Sequence, residues 1–253
     1  MIKKLILSDR VKMKRTPLKW VVLLIPMVVL AYEIVNFSYR SAYIKQQMNV
    51  FHADTMWSYL IWDNSFLLGL GVPLGITLAA SIIANVEHQA NSWKQTLSMP
   101  ISRIQVYVSK FIWLFGSSII SALIFAISMV AIGKILNFES DIPWRDEWGD
   151  SLSVYLTAIP FMSVQLWISM LIKNQAFSIT IGSVSTMMGL FMAMNQTTRW
   201  LPWAFPVQAS TIMLGESGLT NNLELSAFLV LSFMQGFVIL LAGAIHFAKK
   251  DVQ

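Results

Sequence analysis

Cysteine is absent from the 253-residue sequence, which excludes disulfides and thiolate metal centres. Histidine is nearly absent. His52, His88 and His246 stand far apart, with no His-Glu-x-x-His pair and no carboxylate at ligand spacing. A glycine-rich phosphate loop ending in Gly-Lys-Ser/Thr is also missing, which excludes nucleotide hydrolysis by that route. Charge is scarce: 12% of residues are Asp, Glu, Lys or Arg, against roughly a quarter in a soluble domain. What the chain has instead is apolar surface, with 56% hydrophobic residues and a mean hydropathy of +0.61. A chain of this length could bury a soluble core, but not that much apolar surface in water.

The hydrophobic residues fall in six runs, at about 20–39, 65–84, 106–132, 152–172, 176–194 and 226–247. Each approaches or exceeds the roughly 20 residues that carry a helix across a hydrocarbon layer. The expected fold is therefore an all-α membrane protein, a six-helix bundle in a single domain over 1–253. Lys173, Asn174 and Gln175 alone separate the fourth and fifth runs, so those two spans form a tight antiparallel hairpin. In the second run Gly69, Gly71, Pro73 and Gly75 predict a kink that neighbouring helices absorb. The first run follows seven basic residues and lacks a small-residue cleavage site, and reads as a retained span.

The net charge of +5 and pI near 9.5 could suggest nucleic acid, but the placement of the basic residues favours membrane orientation. With a cytoplasmic N-terminus, the inner side holds Lys3, Lys4, Arg10, Lys12, Lys14, Arg15, Lys19, Lys94, Arg103, Lys110, Lys173, Lys249 and Lys250. The outer side holds only Arg40, Lys45, Lys134, Arg145 and Arg199. This bias predicts both termini inside, in a cytoplasmic (inner) membrane. Glu139, Asp141, Asp146, Glu147 and Asp150 crowd one outer loop. Residues 1–19 predict an interfacial helix whose Ile2, Leu5, Ile6 and Met13 share a face while its basic residues reach anionic headgroups. Asp9 falls on that same face and spoils the pattern.

Catalytic constellations are missing. Gly182-Ser183-Val184-Ser185 invites a serine-protease reading, yet the neighbouring spans offer no histidine, and small residues at that spacing pack helices. The spans are almost free of ionisable groups. Glu33 is the exception; it either reaches toward the outer headgroups or makes a polar contact in a substrate path. The connection between the second and third spans carries more information. Trp93 and Leu97, four apart, share a helical face, and Pro100 ends that helix. A short helix with exposed aromatic and basic groups suits docking in a groove on another protein, or anchoring at the headgroups.

Glu87, then Trp93-Lys94, then Met99-Pro100-Ile101-Ser102-Arg103, with Tyr107 and Lys110 beyond, resembles the pattern after the second span of ABC-2-type transporter permeases. It is most similar to the group tied to lantibiotic and bacitracin immunity and to peptide-toxin export. Ser92-Trp93 stands where the wider family often has Gly-Thr, which fits the immunity-type branch. The resemblance implies that Ser92, Trp93, Lys94 and Leu97 lie on a coupling helix flanked by Glu87, Pro100 and Arg103. It also implies a separate ABC ATP-binding subunit in two copies, with ATP and magnesium held there and no cofactor on this chain. A second permease subunit, identical or homologous, would complete one pathway. Between spans five and six, Trp200, Pro202, Trp203, Phe205 and Pro206 form an aromatic outer segment, expected as a re-entrant lid or an interfacial belt. Gly182, Thr186 and Gly189 with Met188 in span five, together with Glu33, are candidates for a pathway wall or dimer interface. The expected function is a non-enzymatic permease subunit of an ATP-driven exporter of amphipathic or antimicrobial peptides. The alternative is a membrane-integral sensor or immunity protein that binds a peptide without moving it.

Overall fold

The computed structural model describes residues 2–89 and 102–249, with side chains from Leu5 onward. Its helices are α1 (Ile2–Met13), α2 (Leu18–Tyr39), α3 (Ser41–Val50), α4 (Met56–Gln89), α5 (Arg103–Ile135), α6 (Trp144–Thr157), α7 (Ile159–Leu171), α8 (Gln175–Ala193) and α9 (Leu225–Lys249). A small antiparallel hairpin, β1 (Ile212–Gly215) with β2 (Gly218–Asn221), precedes α9. With α6 and α7 taken as one crossing, six helices among the described residues are long and apolar enough to span a membrane. The all-α, six-span expectation holds.

Boundaries follow local chemistry. Ser102 opens α5 with a capping box: its hydroxyl accepts from the Gln105 amide at 3.2 Å, and the Gln105 side chain accepts from the Ser102 amide at 3.3 Å. Asn174 caps α8 by accepting from the amides of Ala176 and Phe177 at 3.0 and 3.4 Å. Pro160, without an amide hydrogen, sits in the first turn of α7 and marks the break from α6. Two expectations need correction. The acidic stretch 144–150 is helical, and Glu147 and Asp150 are buried in it. The second span is also far longer than 65–84, because α4 runs 34 residues. That is about 50 Å at the α-helical rise, well beyond a hydrocarbon core of about 30 Å. Hydropathy finds the longest apolar part of a helix and stops at polar residues such as Asp63-Asn64 and Asn85, beyond which α4 continues.

Across Pro73 α4 stays continuously helical, and its glycines serve close approach. A Cβ on Gly69 would lie 2.8 Å from the Val207 backbone, and one on Gly75 would lie 3.1 Å from Ile25. α4 packs against α2, α5, α7 and α8 and forms the buried axis of the bundle. Side-chain hydrogen bonds tie the α7–α8 pair. Gln165 donates to the Ser178 carbonyl at 3.1 Å, and the Ser169 and Ser178 hydroxyls meet at 2.8 Å. Phe177, Val184 and Phe191 on α8, and Val230, Phe237 and Leu241 on α9, point outward, as lipid-facing residues do.

Two ends are thereby defined. At one, α1 meets the end of α4 and the start of α5, and Arg103 reaches the Ala248 carbonyl at 3.4 Å. At the other, the hairpin joins the 51–56 turn, with Leu219 donating to the Phe51 carbonyl at 2.8 Å. A six-span chain with both termini on one side places Ser217 and Lys173 on opposite faces of the membrane. Single cysteines there have no native thiol to confuse them. With the N-terminus cytoplasmic, as the bias of basic residues predicts, an impermeant thiol reagent on intact cells should label Ser217→Cys only, and Lys173→Cys only after permeabilisation. Labelling of both from outside would overturn this topology.

Candidate functional site

The α1 end holds a cluster of four charges, three of them buried. Lys110, two turns into α5, is 1% exposed and bridges two carboxylates, Asp9 of α1 at 2.6 Å and Glu87 of α4 at 2.5 Å. Each carboxylate has a further partner. Ser109 donates to Asp9 at 2.7 Å, and Lys12 donates to both Glu87 oxygens at 2.8 and 3.1 Å. Burying an ion costs several kcal/mol unless pairing and hydrogen bonds offset it; here both conditions are met, and the formal charges cancel. Asp9 was the residue that spoiled the expected lipid-facing stripe of α1. The correction is that this face packs on protein: Leu5, Asp9 and Met13 are buried, and Trp113 of α5 donates to the Ile6 carbonyl at 3.3 Å. Lys12, counted among the headgroup-reaching residues, is held by Glu87 instead.

The cluster joins the end of α4, which precedes residues 90–101, to the start of α5, which follows them. Glu87 lies before that connection and Lys110 after it, so the ion pairs tie the helices on both sides of it to α1. Ser92, Trp93, Lys94, Leu97 and Pro100 lie outside the described residues. Of the flanking residues, Ser102 is the α5 cap, Arg103 reaches the last turn of α9, and Tyr107 is fully buried with its ring 5.9 Å from Phe247.

At the hairpin end, residues 204–210 are tucked among α4, α6, α8 and α9, with Phe205–Gln208 in a single 3-10 turn. Phe205 and Pro206 are buried, Pro202 and Trp203 half-buried, and Trp200 packs 5.2 Å from Phe228. Asp150 anchors the segment by accepting from the Ser210 hydroxyl at 2.8 Å and the Thr211 amide at 3.1 Å. Asn222 donates to the carbonyls of Gln208 and Ser210 at 3.0 and 2.9 Å. The five aromatic and proline residues of the expected outer segment are thus brought together as a plug on the bundle.

Gly182, Thr186 and Gly189 turn into the chain's own core, where a Cβ on Gly182 would lie 2.7 Å from the Gln165 side chain. Met188 points the other way and is 50% exposed, so these four residues do not share a face. Glu33 does not reach the headgroups: it is fully buried. The Asn36 amide donates to Glu33 at 3.3 Å and to Asp63 at 3.0 Å, while Arg40 donates to the Asn36 carbonyl oxygen at 3.3 Å.

The sequence model described as ABC-2 family transporter protein matches residues 5–189, well over half of the chain and the whole of the charged cluster. The chain belongs to the ABC-2 transporter family. Among curated proteins, none matches it. Family and helices together make the chain a multi-pass membrane permease of an ABC transporter, which associates with a separate ABC ATP-binding subunit.

Sequence reasoning named Glu87 and Lys110 of the permease's charged cluster but not their relation. Asp9, Lys12 and Ser109 were missed as partners, because each lies about a hundred or seventy-five residues from the group it meets. The one available signal was the lone acid of a basic N-terminal helix, placed on its apolar stripe. Asp63 was missed because it lies just outside the hydropathy-defined span.

Proposed function

We propose that this permease works as one of two membrane subunits of an exporter of amphipathic peptides, driven by two copies of an ATP-binding subunit that carry the ATP and magnesium. The charged cluster carries the reading. A buried, mutually satisfied set of ions joining α1, α4 and α5 at the base of one connection is suited to passing a stroke from that connection into three helices at once. In this reading the α1 end is cytoplasmic, in keeping with the bias of basic residues. The connection 90–101 docks on the motor through Trp93, with Ser92 and Leu97 beside it. The plug at 200–208 closes the opposite mouth. Peptide cargo is supported by the resemblance to the immunity and toxin-export group and by the flexible, outward-facing Met187 and Met188 of α8 and Met194 just after it.

The deciding experiment concerns Trp93. An aromatic anchor in a small interface contributes about 2 kcal/mol, so Trp93→Ala should weaken motor binding roughly thirtyfold. Lys94→Ala removes one charge pair, worth under about 1 kcal/mol at a solvated rim, and should lower stimulated ATP turnover while the complex survives a pull-down. Full partner binding and full turnover in Trp93→Ala would remove the coupling assignment. A peptide-binding sensor without transport would then be the better reading.

A further inference from the structure

A cavity of about 480 Å³ opens beneath α3, where the hairpin-side ends of α2, α4 and α5 meet. Its floor is apolar, made by Phe37, Ile44, Met56 and Phe138, with the Phe37 and Phe138 rings 5.4 Å apart. Trp57, edge-on to Phe138 at 5.1 Å and donating to the Ser140 carbonyl at 3.2 Å, braces that floor from below. Asn137 takes a left-handed conformation (φ 52°), which turns the chain so that Phe138 is half-buried and Glu139 exposed. The rim is charged with both signs: Lys45 from α3, Asp54 from the 51–56 turn, and Glu139. Among the described residues these three make no ion pair with any partner. Tyr39 and Tyr43 beside the cavity are exposed, and tyrosines so placed mark the boundary between hydrocarbon and headgroups.

We propose that this cavity binds the headgroup of an ethanolamine phospholipid from the adjoining leaflet. The rim offers a cation for the phosphate, through Lys45, and two carboxylates for the primary ammonium, through Asp54 and Glu139. The phenyl rings receive the glycerol and the first acyl carbons. The charge pattern selects among lipids. A choline headgroup has no N–H to donate to the carboxylates, and a glycerol headgroup brings no cation to them. A soluble zwitterion would leave the aromatic floor without an occupant. The site is independent of the transported cargo, since it rests on no residue of the charged cluster or the plug.

The test uses the full-length permease purified in detergent and titrated with short-chain ethanolamine, choline and glycerol phospholipids, with bound lipid counted by native mass spectrometry. One ethanolamine lipid per chain should be retained about fivefold more tightly than either other lipid, the scale of one partly exposed charge pair. Glu139→Gln with Asp54→Asn should abolish the preference over choline lipid, and Lys45→Gln should weaken all three lipids together. These are exposed rim residues, so an unchanged melting temperature serves as the folding control. Equal binding of the three lipids by the native protein, native preference in the Glu139→Gln with Asp54→Asn variant, or undiminished binding of all three lipids in Lys45→Gln overturns the proposal. So does stoichiometric displacement of the lipid by a cationic amphipathic peptide at equal concentration, which would assign the cavity to peptide.

Discussion

Lys110→Met should destabilise the purified permease by about 3–5 kcal/mol, the cost of leaving buried carboxylates without their shared cation. Asp9 would keep its bond from Ser109, and Glu87 its pair with the partly exposed Lys12. Thermal unfolding in detergent should show a clear fall in melting temperature, and α1 should become accessible to protease at Arg10. A native melting curve would show that the cluster is incidental. The triple replacement Asp9→Asn, Glu87→Gln, Lys110→Met separates stability from function. Neutral groups of similar shape remove the stranded charges, so most of the stability should return. Motor-stimulated turnover should not return if the ions transmit the stroke. Recovery of both would leave the cluster a structural staple.

Gly189→Val should be nearly as damaging, at about 3 kcal/mol, the upper range for overpacking. A Cβ at Gly189 would overlap the Trp203 carbonyl oxygen and lie 2.9 Å from its carbon. The obstacle is backbone, which cannot swing aside as a side chain can. The 200–208 plug must lift from α8, and its proteolytic sensitivity should rise together with basal ATP turnover in the assembled transporter. Gly116→Ala is the matched control: nothing lies within 4 Å of its added methyl. Removing a mid-helix glycine there should gain up to about 1 kcal/mol. Protease resistance of the plug in Gly189→Val would show that the plug does not rest on α8.

Particular residues show where reading the sequence succeeds and where it stops. Ser102 was legible as part of a Pro-x-Ser-Arg pattern, and its role as helix cap is local chemistry spanning three residues. Asn174 was legible in the same way, since a three-residue turn between apolar runs needs a cap. The hairpin at 212–221 was not. Its strands are four residues long, too short for alternation to register, and its order comes from Phe51, Asp150 and Asn222. Gly182 and Gly189 were correctly singled out as permitting close approach. Their direction was not legible, because a small residue looks the same facing a second subunit as facing Gln165 or Trp203.

The sequence by itself determined the solvent, the number of crossings and the membership of the family. All of these depend on composition or on contiguous runs, which a bilayer reads one helix at a time. Only the tertiary structure decided which of the sparse charges matter. Asp9, Glu87 and Lys110 are ordinary members of a basic N-terminus and of two polar helix ends until folding brings Lys110 within 2.6 Å of both carboxylates. A charge in a low-dielectric interior is permitted only where an opposite charge meets it, and that meeting is a property of the packed helices, not of their order along the chain.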